Sequence, residues 1–207
     1  MRIMKILFFL LYLQTALMAY NGVNLLMPQN SDAVLGVYTG VANSRGEVSC
    51  ESSDAAVDVQ NVKHNNIVAL GGVYLGFQND GYRFSFSYDA NSDSDISLQR
   101  VLINFDFMFE KTTYFRPTLG FGLGAAMYAF DLNTKKIKSD DGVLAFRVGG
   151  EFAMGSFSSL DLSLEYSYVI ANSSGKSFFE DGRLTTYKLQ NKSDIILRVS
   201  YNVQVTH

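Results

Sequence analysis

The chain has 207 residues, 47% of them hydrophobic and 18% charged, which fits one domain with interleaved rather than blocked apolar and polar residues. Seventeen Lys and Arg stand against 20 Asp and Glu with no basic patch, so nucleic acid is excluded as an expected partner. The single Cys50 excludes an internal disulfide, and no metal-type spacing of Cys and His occurs, so no metal and no cofactor is expected.

The chain opens with a basic pair, Arg2 and Lys5, then an apolar stretch from Ile6 to Leu13, then the small residues Thr15, Ala16 and Ala19. This is the layout of a secretory signal peptide over residues 1–19, with an apolar region too short to span a bilayer. Cleavage is expected after Ala19. The competing readings are an anchor helix or a buried helix.

Beyond that segment, alternation with a period of two predicts strands. Weaker, glycine-rich strands fall at 33–42 and 67–77. At 82–89, Tyr82, Phe84, Phe86 and Tyr88 alternate with Arg83, Ser85, Ser87 and Asp89. Val101, Ile103, Phe105, Phe107 and Phe109 alternate with Arg100, Asn104 and Asp106, with Leu102 and Met108 breaking the pattern. From 115 to 128, Phe115, Pro117, Leu119, Phe121, Leu123 and Met127 oppose Arg116, Thr118, Gly120, Gly122, Gly124 and Ala126. Phe146, Val148 and Phe152 oppose Arg147, Gly149 and Glu151. Leu160, Leu162, Leu164, Tyr166 and Tyr168 oppose Asp161, Ser163, Glu165 and Ser167. Leu197, Val199, Tyr201 and Val203 oppose Arg198, Ser200 and Asn202. The total is about eight strands of roughly 8 to 14 residues each, long enough for a tilted membrane strand, which needs about 9 to 11.

The connections alternate in length. Long polar links are expected at 43–66, 90–95, 129–141 and 171–188, and short turns at 78–81, 110–113 and 153–156. In an up-and-down meander every second connection lies at the same end. All the long links therefore share one rim, as the extracellular loops of outer-membrane barrels do, and both termini lie at the other.

Alternation alone fits either a membrane barrel or a soluble barrel with an apolar cavity. Volume decides between them: an eight-stranded barrel is only wide enough to be filled by side chains, and most of the Phe, Tyr and Leu would overfill it. Small and ionic residues are expected inside and the apolar face outside, towards lipid. Tyr82, Tyr88, Tyr114, Tyr166, Tyr168 and Tyr201 sit near strand ends, where an interfacial girdle belongs.

The run Arg116-Pro117-Thr118-Leu119-Gly120-Phe121-Gly122-Leu123-Gly124 resembles the glycine-alternating strands of small OmpA/OmpX-like outer-membrane proteins. Leu197-x-Val199-x-Tyr201-x-Val203 resembles their C-terminal assembly signal, with Val203 where that signal normally ends in Phe. The resemblance covers roughly residues 33–203. It implies an all-β, closed up-and-down antiparallel transmembrane β-barrel of about eight strands, preceded by a signal peptide. The expected division is 1–19 signal peptide, 20–32 short periplasmic segment and 33–207 barrel. Outer-membrane lipid, the barrel-assembly machinery and periplasmic chaperones are the implied partners, and the outer membrane of a Gram-negative bacterium the implied location.

Arg147, Glu151, Asp161, Glu165 and Arg198 all fall on the inward face of neighbouring strands, where unpaired charges would be costly. They are expected to form an internal salt-bridge network that plugs the lumen, against the alternative of a lined pore for passive transport. His64, with Ser52, Ser53 and Asp54 in the same long link, is expected to be a solvated loop residue, although some small outer-membrane enzymes acting on lipid A keep a His and a Ser at that rim. Cys50 is expected in the same loop without a role. The polar links suit a hydrophilic coat or a surface adhesin, with Phe178 and Phe179 unusual for a coat. The expected function is a structural or surface-exposed envelope role without enzymatic chemistry.

Overall fold

The computed structural model describes residues 31–52, 60–91, 96–110, 112, 114–132, 135–170, 176–180 and 183–205. The expected signal peptide, nearly all of the segment 20–32, and Ser53 and Asp54 lie outside them. The described chain is all strand: β1 (Asp32–Ser52), β2 (Gln60–Gln78), β3 (Tyr82–Asn91), β4 (Ile96–Met108), β5 (Phe115–Leu132), β6 (Lys135–Ala153), β7 (Ser158–Val169), β8 (Lys176–Glu180) and β9 (Arg183–Val205). Each of β1 to β6 pairs antiparallel with the next, β7 pairs with β9, and β9 pairs with β1 from Ala33↔Val205 upward. The result is a closed barrel of eight strands, with β8 an extra short strand paired to β9.

The alternation in the sequence becomes the two faces of the wall. Ser85, Asn104, Asp106 and Glu165 are buried, while Leu35, Phe121, Phe146 and Leu162 are exposed at about half of their surface. Leu102 and Met108, which break the apolar pattern of β4, are in phase with Arg100 and Asn104 and are buried in the lumen. Apolar exposure runs right round the barrel, far beyond the few hundred Å² a soluble monomer tolerates. On β7 the outward residues from Leu160 to Ile170 cover roughly 33 Å along the strand. A tilt of about 40° reduces that to roughly 25 Å, the height of a membrane band. Tyr82, Tyr114 and Tyr201 mark the end of this band nearer the short turns, and Tyr88, Tyr166 and Tyr168 the other end.

The turns are built from local chemistry. At the first short turn, Asn79 Oδ1 accepts hydrogen bonds from the Gly81 and Tyr82 amides at 2.8 and 2.9 Å, and the Asn79 amide donates to the Tyr82 carbonyl at 2.9 Å. An Asx side chain thus supplies the acceptor that turns the chain.

The long links differ from expectation. Most of 43–66 is not loop: β1 runs on to Ser52 and β2 starts at Gln60, paired in continuous register down to Asn43↔Ile67. Cys50 and His64 therefore stand in strands, opposite Gln60 and Gly46. Likewise β5 and β6 pair as far as Leu132↔Lys135, leaving a two-residue link, and β8 and β9 occupy much of 171–188. Where the outward positions turn polar as well, as at Asn43 and Arg45, the backbone ladder continues without any apolar alternation to announce it, so sequence patterning ends the strands too early.

Replacing Leu164, outward on β7, with Arg should cost about 2–4 kcal/mol of folding free energy if it sits near mid-membrane. Equilibrium urea refolding into lipid vesicles measures this, and an unchanged midpoint would contradict an acyl environment there.

Candidate functional site

The lumen holds the only dense set of ionisable groups described, and each comes from the inward phase of a strand. Arg83 on β3 pairs with Asp106 (3.0 Å) on β4 and Asp161 (2.7 Å) on β7. Asp106 also pairs with Arg147 on β6 at 3.2 Å, and Arg147 with Glu165 on β7 at 3.1 Å. Glu165 then meets Arg100 at 2.9 Å and Arg198 at 2.8 Å. Arg100 pairs with Asp89 at 2.7 Å. Three guanidinium groups from three strands thus converge on one carboxylate that is wholly shielded from solvent. The chain of pairs runs across the barrel and ties β3, β4, β6, β7 and β9 together.

Further hydrogen bonds join this network. Asn104 accepts from Arg147 at 2.9 Å and donates to Ser87 at 2.9 Å. The Tyr38 hydroxyl donates to Asp89 at 2.8 Å, and the Arg198 guanidinium lies over the Tyr38 ring, 4.2 Å from its centroid. A cation held by carboxylates on its edge and an aromatic ring on its face loses little on leaving water.

Room for these long side chains comes from glycine. Gly120 is the register partner of both Asp106 and Arg147, and those two side chains meet above it. A Cβ at Gly120 would overlap the Asp106 carboxylate. On β1 and β2 the arrangement is reciprocal: Gly36 is opposite Tyr74 and Tyr38 opposite Gly72, and each tyrosine ring covers the facing glycine.

Of the residues expected to form the network, the structure brings Arg147, Glu165 and Arg198 into direct contact. Asp161 joins them through Arg83 and Asp106. Glu151 belongs to a second group nearer the short turns, where it accepts from Ser159 at 2.7 Å and Gln78 at 3.3 Å and lies 3.9 Å from Arg116. The expected set omitted Arg83, Arg100, Asp89 and Asp106. Alternation had already put them on the polar face of their strands; the closeness of β3 and β4 to β7 across the lumen was what sequence did not display. Arg83, Arg100, Arg116, Arg147 and Arg198 match Asp89, Asp106, Glu151, Asp161 and Glu165 in number, Lys192 matches Asp141, and Asp194 is a further buried carboxyl.

Towards the long-link end the fill changes character. Leu98, Leu102, Ala126, Tyr128, Val143, Ala145 and Val169 form a buried apolar cluster there, while a second, of Val34, Tyr38, Ala42, Val68, Leu70, Tyr74 and Ile196, runs along β1 and β2 past the charge network. Above them Asp194 accepts from Ser44, from Tyr128 (2.8 Å) and from Ser167 (3.1 Å). Lys192, beyond the last outward apolar residue of β9, is buried against Asp141 and Ser139. Burial pulls the Lys192 pKa below the usual lysine range, and its hydrogen bond to Asp141 opposes that.

Little space remains. Among Tyr74, Arg83, Ser87, Asn104, Asp106 and Arg147 the volume open to the centre of a water-sized sphere is ≈ 10 Å³, about what a single water needs. A polar recess of ≈ 260 Å³ opens at the short-turn mouth beside Gln78, Asp80, Arg116 and Glu151.

Neither protein-family models nor curated proteins match the sequence. Solved structures do match the fold. The crystal structure of Neisserial surface protein A is 17% identical, covering 83% of this chain and 97% of that one, with a TM-score of 0.54. Outer membrane protein OprG from Pseudomonas aeruginosa is 9% identical, covering 86% and 97%, with a TM-score of 0.53. The N-terminal β-barrel domain of Pseudomonas aeruginosa OprF is 12% identical, covering 82% and 97%, with a TM-score of 0.50. The fold is that of an eight-stranded outer-membrane β-barrel. At these identities the likeness concerns the barrel's architecture, and the lumen chemistry rests on its own geometry.

Two substitutions probe how the barrel is filled. Glu165→Ala removes the carboxylate shared by three buried arginines and should lower the unfolding free energy by about 3–5 kcal/mol. Gly120→Ala should cost about 1–3 kcal/mol by forcing the Asp106 carboxylate aside. Urea titration in lipid vesicles measures both; a neutral Glu165→Ala would mean that the arginines find water instead.

Proposed function

We propose that this barrel is a surface-exposed structural protein of a Gram-negative outer membrane, non-enzymatic, with its lumen closed by a charge-balanced plug. The observation that carries the reading is the convergence of Arg100, Arg147 and Arg198 on Glu165 beside a cavity with room for about one water. A conducting pore lined by the same charges would need them solvated along a continuous path. Here each is paired to a side chain from another strand, and an apolar cluster with Leu98, Tyr128, Val143 and Val169 fills the level above.

In this reading the signal peptide over residues 1–19 directs export, the segment 20–32 lies in the periplasm, and the barrel occupies 33–207. The ribbons of β1–β2, β5–β6 and β8–β9 stand outside the cell, and both termini face the periplasm. Leu197, Val199, Tyr201 and Val203, which alternate outward along the closing strand β9 with about half of their surface exposed, serve as the assembly signal. The barrel-assembly machinery and periplasmic chaperones are the partners during biogenesis, and lipid is the partner afterwards. Catalysis by His64 with Ser52 has no support from position: the two stand on different strands, and His64 pairs with Gly46, six residues along β1 from Ser52.

Planar-bilayer recording tests the plug. The purified barrel should be silent at moderate voltage, and Arg147→Ala and Glu165→Ala should introduce brief openings. Stable unitary steps from the unmodified protein would favour the passive-transport reading. Cell fractionation with heat-modifiable gel migration tests the location, since a detergent-free soluble product is incompatible with it.

A further inference from the structure

β8 continues the barrel wall at the place where β7 stops. β9 is covered on one side by β7 up to Tyr168↔Ser193, and the same side is covered by β8 from Lys176↔Tyr187 to Glu180↔Arg183. On its other side this stretch of β9 pairs with β1, as far as Ser52↔Thr185. At the long-link rim the wall is therefore a sheet ordered β8-β9-β1-β2. Among the described residues β8 pairs with β9 and with no other strand, so its second edge ends the sheet. Such an edge offers a row of backbone donors and acceptors to another strand.

The sequence of β8, Lys176-Ser177-Phe178-Phe179-Glu180, is complementary to itself. Antiparallel pairing of two copies centred on Phe178 sets Lys176 of each opposite Glu180 of the other, and Ser177 opposite Phe179. No like charges come together at any position. Opposite charges facing one another across an antiparallel pair favour that register over shifted ones.

Symmetry then fixes which copies can meet. The two-fold axis of an antiparallel strand pair stands perpendicular to the sheet. The sheet here is the barrel wall, whose perpendicular points radially and so lies in the membrane plane. Rotation about that axis inverts the membrane normal. Two copies side by side in one membrane cannot be related in this way; two copies in facing membranes can. We propose that β8 pairs with β8 of a second copy in an opposing membrane, making the barrel a bridge between two membranes through its own long-link rim. This rests on the reading above that the ribbons stand outside the cell.

The test uses unilamellar vesicles carrying the full refolded barrel, with folding checked by heat-modifiable migration and clustering followed by turbidity. Wild-type vesicles should cluster. Lys176→Glu and Glu180→Lys vesicles should each cluster about tenfold less, because many weak strand pairs act together between two surfaces. Mixing those two populations should restore clustering, as should the double exchange K176E/E180K within one chain. Restoration on mixing cannot come from a change in folding, since neither variant alone would show it. Clustering that is absent in wild type, or unaltered by both single exchanges, or not restored by mixing, overturns the proposal. Labelling a tag inserted at 173 on intact cells checks the outside location separately. Labelling without vesicle clustering rejects the strand pairing alone, and clustering without labelling rejects its operation between cells.

Discussion

Once β9 pairs with β1 along nearly its whole membrane-facing length, no backbone donor or acceptor in the wall is left to the acyl chains, and every other feature of the molecule answers to that closure. A sheet in hydrocarbon cannot end in an open edge. Eight strands bent into a closed wall leave a lumen of fixed, small bore. The side chains inside must fill that bore without overfilling it, and any charge among them must find its partner there, because water has almost no room to enter.

The glycines and arginines are two sides of one solution. A long guanidinium side chain crosses the lumen only where the opposite wall is bare. Gly120 supplies that on β5, under the meeting point of Asp106 and Arg147. The reciprocal Gly36–Tyr74 and Tyr38–Gly72 pairs do the same for β1 and β2 with aromatic rings. Tyr38 then holds Asp89 by its hydroxyl and Arg198 by its face. Packing and electrostatics cannot be separated here: removing a glycine displaces a carboxylate, and removing a carboxylate leaves cations in a space too narrow for solvent to compensate.

Strand phase was legible in the sequence because the two faces of the wall meet different solvents. The 82–89 and 160–168 segments alternate strictly, and both are strands with inward polar and outward apolar residues. Legibility failed where that contrast fails. Beyond the apolar band the outward positions turn polar too, as at Asn43 and Arg45, so β1 and β2 run through a segment whose composition resembles a loop, and His64 and Cys50 end up in strands. The converse limit appears at Leu102, whose apolar side chain points inward with Leu98 and Val143. The expected charge network was incomplete for a different reason. Sequence neighbours identify adjacent strands, but Arg100 reaches Glu165 across the lumen from β4 to β7, a contact set by the closed circumference rather than by order along the chain.

The two ends of the molecule follow from the same balance. Within the membrane, Arg83, Arg100, Arg147 and Arg198 share Asp89, Asp106, Asp161 and Glu165 in one network across the lumen, and that network holds the wall together without help from the rim. Beyond the membrane, hydrogen bonding to water replaces the need for closure, so the wall can divide: β3 and β7 stop while β1, β2, β5, β6 and β9 continue. An interrupted wall necessarily has edges. Those edges are tolerated only in water, where they are also reachable by another strand, so the feature that membrane physics forbids lower down becomes the one place where this barrel can recognise a backbone other than its own.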